Sequence, residues 1–181
     1  MVDFAGGWET VPLTKMLEEV NKSHAQGKYC IINDRQGNVA TFFRYKGYHF
    51  EFAPEVIKTV MGKQSVEDAV EKLRVAWVHC ARVGENMCID CGRGSADFKT
   101  KWTNASFPTA TYFDFAEGRK HETLMKIIKT DEDFDWTKKE KFSLKNEFMV
   151  SFMTTAEDQA DVDKFVESLP GSDKMRKLKI V

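Results

Sequence analysis

Apolar and polar positions follow two periods along this chain, and the order in which one period replaces the other predicts its elements. Leu13, Met16, Leu17 and Val20 recur at i, i+3, i+4 and i+7 after Pro12, which predicts a first helix running to about Gln26, where Gly27 ends it. A short apolar run, Tyr29 to Ile32, reads as a buried strand. The stretch "VATFFRYKG" predicts one or two helical turns closing at Gly47, and "YHFEF" alternates as a short strand does. Ser65 and Asp68 have the spacing of a capping box. Behind them Val66, Ala69, Val70, Leu73, Ala76, Trp77 and Cys80 form one apolar stripe up to Gly84, the strongest helix signal in the sequence.

The alternation continues to the C-terminus. "NMCIDC" reads as a strand, "HETLMKIIK" as a shorter helix with Leu124, Ile127 and Ile128 inward, and "KTDEDFDWTKKEK" as a charged, solvated connector. "FMVSFMT" reads as a strand, the segment from Thr155 as a helix carrying Val162, Phe165, Val166 and Leu169, and "KLKIV" as a last strand, an edge strand protected by its lysines. Strands separated by helices predict an α/β fold: a mostly parallel sheet with helices on both faces, a three-layer sandwich. Such sheets bind ligands at the carboxyl ends of their strands.

Composition narrows this picture. The 181 residues, 42% hydrophobic, suit one domain over 1–181, and the sequence shows no repeat, low-complexity tract or long linker. With 27 basic and 28 acidic residues the net charge is -1, which gives no global attraction to nucleic acid or an anionic membrane. No apolar run approaches the roughly 20 residues of a membrane span. The N-terminus lacks the basic and apolar regions of a signal peptide. These features predict a cytosolic protein whose four cysteines, Cys30, Cys80, Cys88 and Cys91, are reduced.

The turn after the first apolar strand carries the most specific chemistry. Its residues Asp34, Gly37 and Asn38 are ordinary turn formers. The eight positions "DRQGNVAT" also match the length of the phosphate-binding turn, and here the chain resembles the P-loop nucleoside triphosphatases, whose first strand runs into G-x-x-x-x-G-K-S/T and a helix. Thr41 stands at the hydroxyl position, and "MCID" resembles a Walker B strand ending in Asp90. Asp34, Val39 and Ala40 stand where the motif has Gly, Gly and Lys. The resemblance implies a P-loop-like scaffold with Asp34, Gly37, Asn38, Thr41 and Asp90 around a nucleotide site. The departures imply little or no hydrolysis: a carboxylate facing a triphosphate repels it, and Ala40 supplies no cation.

Other constellations are weaker. Cys88 and Cys91 in "CIDCG" have zinc-knuckle spacing, with His79 and Cys80 upstream, but Cys30, His24, His49 and His121 are scattered singly and no second close pair completes a site. A redox dithiol lacks a helix N-terminus to stabilise its thiolate. No nucleophile signature surrounds any serine. The loop "GRGSADFKTKWTNASFPTATYFDF" interleaves Phe98, Trp102, Phe107, Tyr112, Phe113 and Phe115 with Arg93, Lys99 and Lys101. Those rings either complete the core or, led by Arg93, anchor a protein partner, since aromatics and Arg are the anchors of interfaces.

The sequence therefore predicts a non-catalytic protein-binding or scaffold module, a pseudo-NTPase of P-loop-like architecture in a cytosolic or cytoskeletal assembly, with no cofactor and no resident metal. One alternative is an active nucleotide-binding or phosphoryl-transfer protein drawing its cation from Arg35, Arg44 or Lys46. The other is a small zinc-binding domain using the C-x-x-C pair.

Overall fold

In the computed structural model, residues 7–129, 132 and 142–181 are described. The chain opens with β1 (Trp8–Val11), a 3-10 turn (Leu13–Lys15) and α1 (Met16–Ala25). It continues through β2 (Cys30–Asn33), α2 (Asn38–Lys46), β3 (Tyr48–Glu51), α3 (Phe52–Val60), α4 (Val66–Val83) and β4 (Asn86–Asp90). Three single-turn helices follow, α5 (Thr109–Tyr112), α6 (Phe115–Gly118) and α7 (His121–Leu124). The last elements are β5 (Met149–Thr154), α8 (Gln159–Ser168), a 3-10 turn (Ser172–Lys174) and β6 (Arg176–Ile180).

The six strands form one all-parallel sheet in the order β1-β6-β2-β5-β4-β3. The expected α/β architecture is thus present, with helices on both faces. Added to the predicted elements are β1 at one edge, α3 between β3 and α4, and the single-turn helices α5 and α6 where the sequence suggests a loop. One assignment is corrected. The strand carrying Lys177 and Lys179 is interior, hydrogen-bonded to β1 on one side and β2 on the other. The predicted charged connector falls mostly outside the described residues.

Side-chain parity divides the core in two. Cys30, Ile32, Cys88, Met153 and Leu178 face one side and are covered by Met16 and Val20 of α1 and by Val39 and Phe43 of α2. Ile31, Met87, Ile89, Val150 and Phe152 face the other side, beneath α4, α8 and the loop from Gly92 to Lys120. Trp77 of α4 is the centre of this larger layer. Its ring lies 5.3 Å from Phe148, 5.7 Å from Phe107 and 5.9 Å from Phe113, mostly in the tilted and edge-on arrangements that aromatic quadrupoles favour. The aromatic loop is therefore the second half of the core.

Helix α4 begins as predicted. The Ser65 hydroxyl accepts the Asp68 N–H at 3.0 Å, and the Asp68 carboxylate accepts the Ser65 N–H at 3.1 Å. Midway along it a fully buried arginine ties the helix to the chain beyond α7. Arg74 Nε and one terminal nitrogen donate to Glu71, both at 2.8 Å, and the two terminal nitrogens also reach Ile127 O at 2.6 Å and Glu132 at 2.7 and 2.8 Å. All five guanidinium donors thus have acceptors within reach, the condition under which a buried charge is tolerated.

Breaking this network has a calculable cost. Arg74→Met removes the donor to Ile127 O and leaves Glu71 and Glu132 held, among the described residues, only by Lys129, and it is expected to destabilise by about 3 kcal/mol, roughly 6–12 °C in melting temperature; an unchanged melting temperature would contradict the assignment. The hydrogen bond from Arg74, outweighing partial burial, holds the Glu71 carboxyl at about 2. Burial raises the Glu55 carboxyl, but hydrogen bonds from Lys58, Lys72 and Gln64 more than offset it and bring it to about 2. Both values lie below the ordinary 4.5, so the stability they confer is complete above about pH 4.5 and is lost as pH falls toward 2. A chemical-denaturation series across that window should show the decline, and Arg74→Met should make it shallower.

Candidate functional site

Adjacent strands β2 and β5 send their onward helices to opposite faces of the sheet, α2 to one and α8 to the other. This makes the crevice beyond their carboxyl ends the topological switch point, where open parallel sheets place ligands. The predicted turn, Asp34 to Asn38, lies there. Gly37 has φ 74°, a left-handed conformation that favours glycine, and it delivers the chain directly into α2.

The first-turn N–H groups of α2 are where a phosphate would be held. One of them, that of Val39, is already engaged by a side chain. Asp34 is buried, and its carboxylate accepts the Val39 N–H at 2.6 Å and the Gln36 N–H at 3.1 Å. An internal anion thus stands at the positive end of the helix, where a ligand anion would otherwise bind. The crevice is also stitched from above. Asn33 donates to Ala156 O at 2.9 Å, Asp34 N–H to Thr154 O at 3.0 Å, and the Thr154 hydroxyl to Gly92 O at 2.9 Å.

Thr41 and Asp90 are separately placed. Thr41 is exposed on α2, and no hydrogen bond joins it to Asp90 among the described residues. Asp90 at the end of β4 is held by the Gly92 N–H at 2.8 Å and by His49 Nε2 at 2.9 Å. His49 Nδ1 lies 3.7 Å from Glu51, which in turn pairs with Arg44 of α2. The parallel register of β3 with β4 explains this polar row, because His49 is paired with Cys88 and Glu51 with Asp90. Sequence reading missed the His49–Asp90 pair. Its only signal was the spacing of His49 and Glu51 two apart on one strand.

Of the three cations considered for a nucleotide, Arg44 is engaged with Glu51, Lys46 lies at the far end of α2, and Arg35 is exposed in the turn. The proposed partner-binding rings occupy a different place from a surface. Phe98, Trp102, Phe107, Tyr112 and Phe113 are all buried in the Trp77 layer, which corrects the expectation that they face a partner. Their role is packing. Arg93 alone of that group is exposed, paired with Glu157 at 2.8 Å.

The cysteines do not converge. Cys88 belongs to the α1/α2 side of the sheet and Cys91 to the α4 side, since three residues along an extended chain reverse the side-chain direction. Both thiols are buried and pushed well above their usual range by desolvation, so both are protonated and weakly nucleophilic. Among the described residues no group of three or more His, Cys, Asp or Glu side chains is placed to hold a metal ion. Among them also, no helix is long and apolar enough to cross a membrane. No protein-family model, curated protein or solved structure matches this chain.

If the Asp34 carboxylate is the anion of this turn, Asp34→Ala should cost about 2 kcal/mol in denaturant unfolding, and sulfate should restore more stability to the variant than to the parent by entering the emptied position. Equal sulfate effects on both proteins would contradict it.

Proposed function

We propose that this protein is a non-catalytic protein-binding module of P-loop-like architecture, acting in a cytosolic or cytoskeletal assembly. The observation that carries the reading is an unpartnered apolar row on α3 and the residue following it. Ile57, Val60 and Met61 are 57%, 72% and 60% exposed, and their spacing puts them on one side of the helix. An adjoining side of α3 is committed to the core through Phe52 and Val56. Large apolar side chains clustered on an exposed helix carry a hydration penalty that a partner's surface removes.

Two further features support a binding role over phosphoryl transfer. The turn that would cradle phosphates is filled by Asp34, and Asp90 is bonded to His49 and Gly92 rather than left open toward the turn. Glu55, on the same helix as the apolar row, is paired with Lys58 and Lys72, both at 2.6 Å. The second of these pairs fixes α3 to α4, so the apolar row is presented on a braced helix.

Affinity purification of the protein from its native cells with chemical cross-linking tests this reading. Partner cross-links should map to α3 and should be lost in Ile57→Asp and Val60→Asp, while the melting temperatures of both variants stay within about 2 °C of the parent, as exposed-site changes do. Partners retained by both variants, or cross-linked elsewhere, would overturn it.

A further inference from the structure

The sheet has an open edge at β3. In the order β1-β6-β2-β5-β4-β3 this strand is last, and among the described residues its backbone hydrogen bonds run only to β4. Its remaining N–H and C=O groups point outward, a row with which another strand can pair. The exposure of His49 shows that nothing among the described residues covers them. Its side chain is 4% exposed, yet the residue as a whole is half-buried, so its accessible surface is main chain. Tyr48–Glu51 contains no proline and no lysine, the residues that commonly blunt such an edge.

Beside this edge lies a shallow pocket of about 330 Å³. Tyr48 and Phe50 form its floor, because residues two apart on a strand face the same side, and their register partners Met87 and Ile89 belong to the layer under α4. Glu71, Lys72, Val75 and Ala76 of α4 form its wall. Val75 is 45% exposed, a branched apolar side chain left next to the strand edge. It belongs to a narrow exposed stripe, Asp68, Lys72, Val75 and His79, whose steps of four, three and four residues keep it on one side of the helix. The His79 ring lies 5.7 Å from that of Tyr48, and α4 runs opposite to β3, so Val75 stands beside the middle of the strand.

We propose that β3 pairs with β3 of a second copy of this chain, antiparallel, so that the two sheets join into one across a two-fold axis. An axis perpendicular to the sheet keeps α4 of both copies on the same face. It requires a register in which residues of the same parity oppose each other, and the one centred on His49 sets Tyr48 against Phe50 of the second copy and Phe50 against its Tyr48. Aromatic pairs of this kind are favourable cross-strand contacts. On the α4 side each Val75 meets its equivalent, and the two pockets close over one another. Antiparallel pairing about Val75 also sets Glu71 opposite His79 of the second copy rather than opposite another Glu71, which keeps the carboxylates apart. An edge, a pocket and a charge pattern that all complement themselves about one axis select a second copy over an unrelated strand. The contact is at the low end of interface sizes, four strand residues and one helix stripe from each copy, so the dimer is weak. It lies on other residues than the α3 row and does not rest on that helix's role.

Sedimentation velocity on the purified protein from about 1 to 500 μM tests it, with a reversible monomer–dimer equilibrium expected inside that range. Val75→Lys places like charges at the two-fold axis and should weaken the dimer roughly tenfold or more, while its melting temperature stays within about 2 °C of the parent because the site is exposed. Ile57→Asp, on α3, should leave the equilibrium unchanged. Hydrogen exchange gives a readout on the parent protein alone: the β3 amides should exchange more slowly at the high end of the range than at the low end. A monomer throughout, a dimer unaltered by Val75→Lys or broken by Ile57→Asp, or β3 amides indifferent to concentration would overturn it.

Discussion

The Asp34 carboxylate accepts the Val39 N–H from the first turn of α2 and the Gln36 N–H from the turn before it, and the geometry of the carboxyl edge follows from these bonds. A parallel strand that turns directly into a helix exposes the helix's unpaired N–H groups at the point where the sheet's connections diverge. Something negative must meet them. In this protein it is a side chain two residues after Ile32, buried and fixed at 2.6 Å from the Val39 N–H. With the anion supplied internally, Asn33, Thr154 and Gly92 can close over the crevice through their own hydrogen bonds. The turn becomes a structural joint.

The remainder of the molecule distributes its polar chemistry away from that joint. His49, Asp90, Glu51 and Arg44 satisfy one another along the row formed by β3, β4 and α2. Arg74 does the same for the chain beyond α7. The exceptions among the described residues include the Asn86 amide, Trp77 Nε1 and Ser151 Oγ, which are buried without a partner, and the exposed apolar row of α3. Of these, only the apolar row of α3 lies on a surface that a partner could complete.

Much of the architecture was legible in the amino-acid pattern. The apolar stripe from Val66 to Cys80 and the Ser65–Asp68 box fixed α4, because both signals are local and follow one period. The strands Tyr29–Ile32, "NMCID" and "FMVSFMT" were legible as apolar runs too short for helices. Elements whose signal depends on tertiary placement were harder. Helix α3 shows apolar residues on both sides, since Ile57, Val60 and Met61 face solvent, and this blurs its period. Strand β1 is four residues with only Trp8 and Val11 buried, too few to establish alternation. The lysines of β6 suggested an edge, but strand order is set by crossovers that no local pattern records. The site was legible only in part. Asp34 was recognised as incompatible with phosphate, whereas its bond to Val39, the reversal of Cys88 and Cys91 across the sheet, and the burial of the aromatic loop required the third dimension.

The most direct measurement of the central claim is the melting temperature of the protein with and without millimolar Mg²⁺-tripolyphosphate, which presents the phosphates of a nucleotide without its base. With Asp34 filling the anion position, the transition should be unmoved. An increase of several degrees, the size expected for a ligand at about 100 times its dissociation constant, would show that the turn admits phosphate and contradict the account.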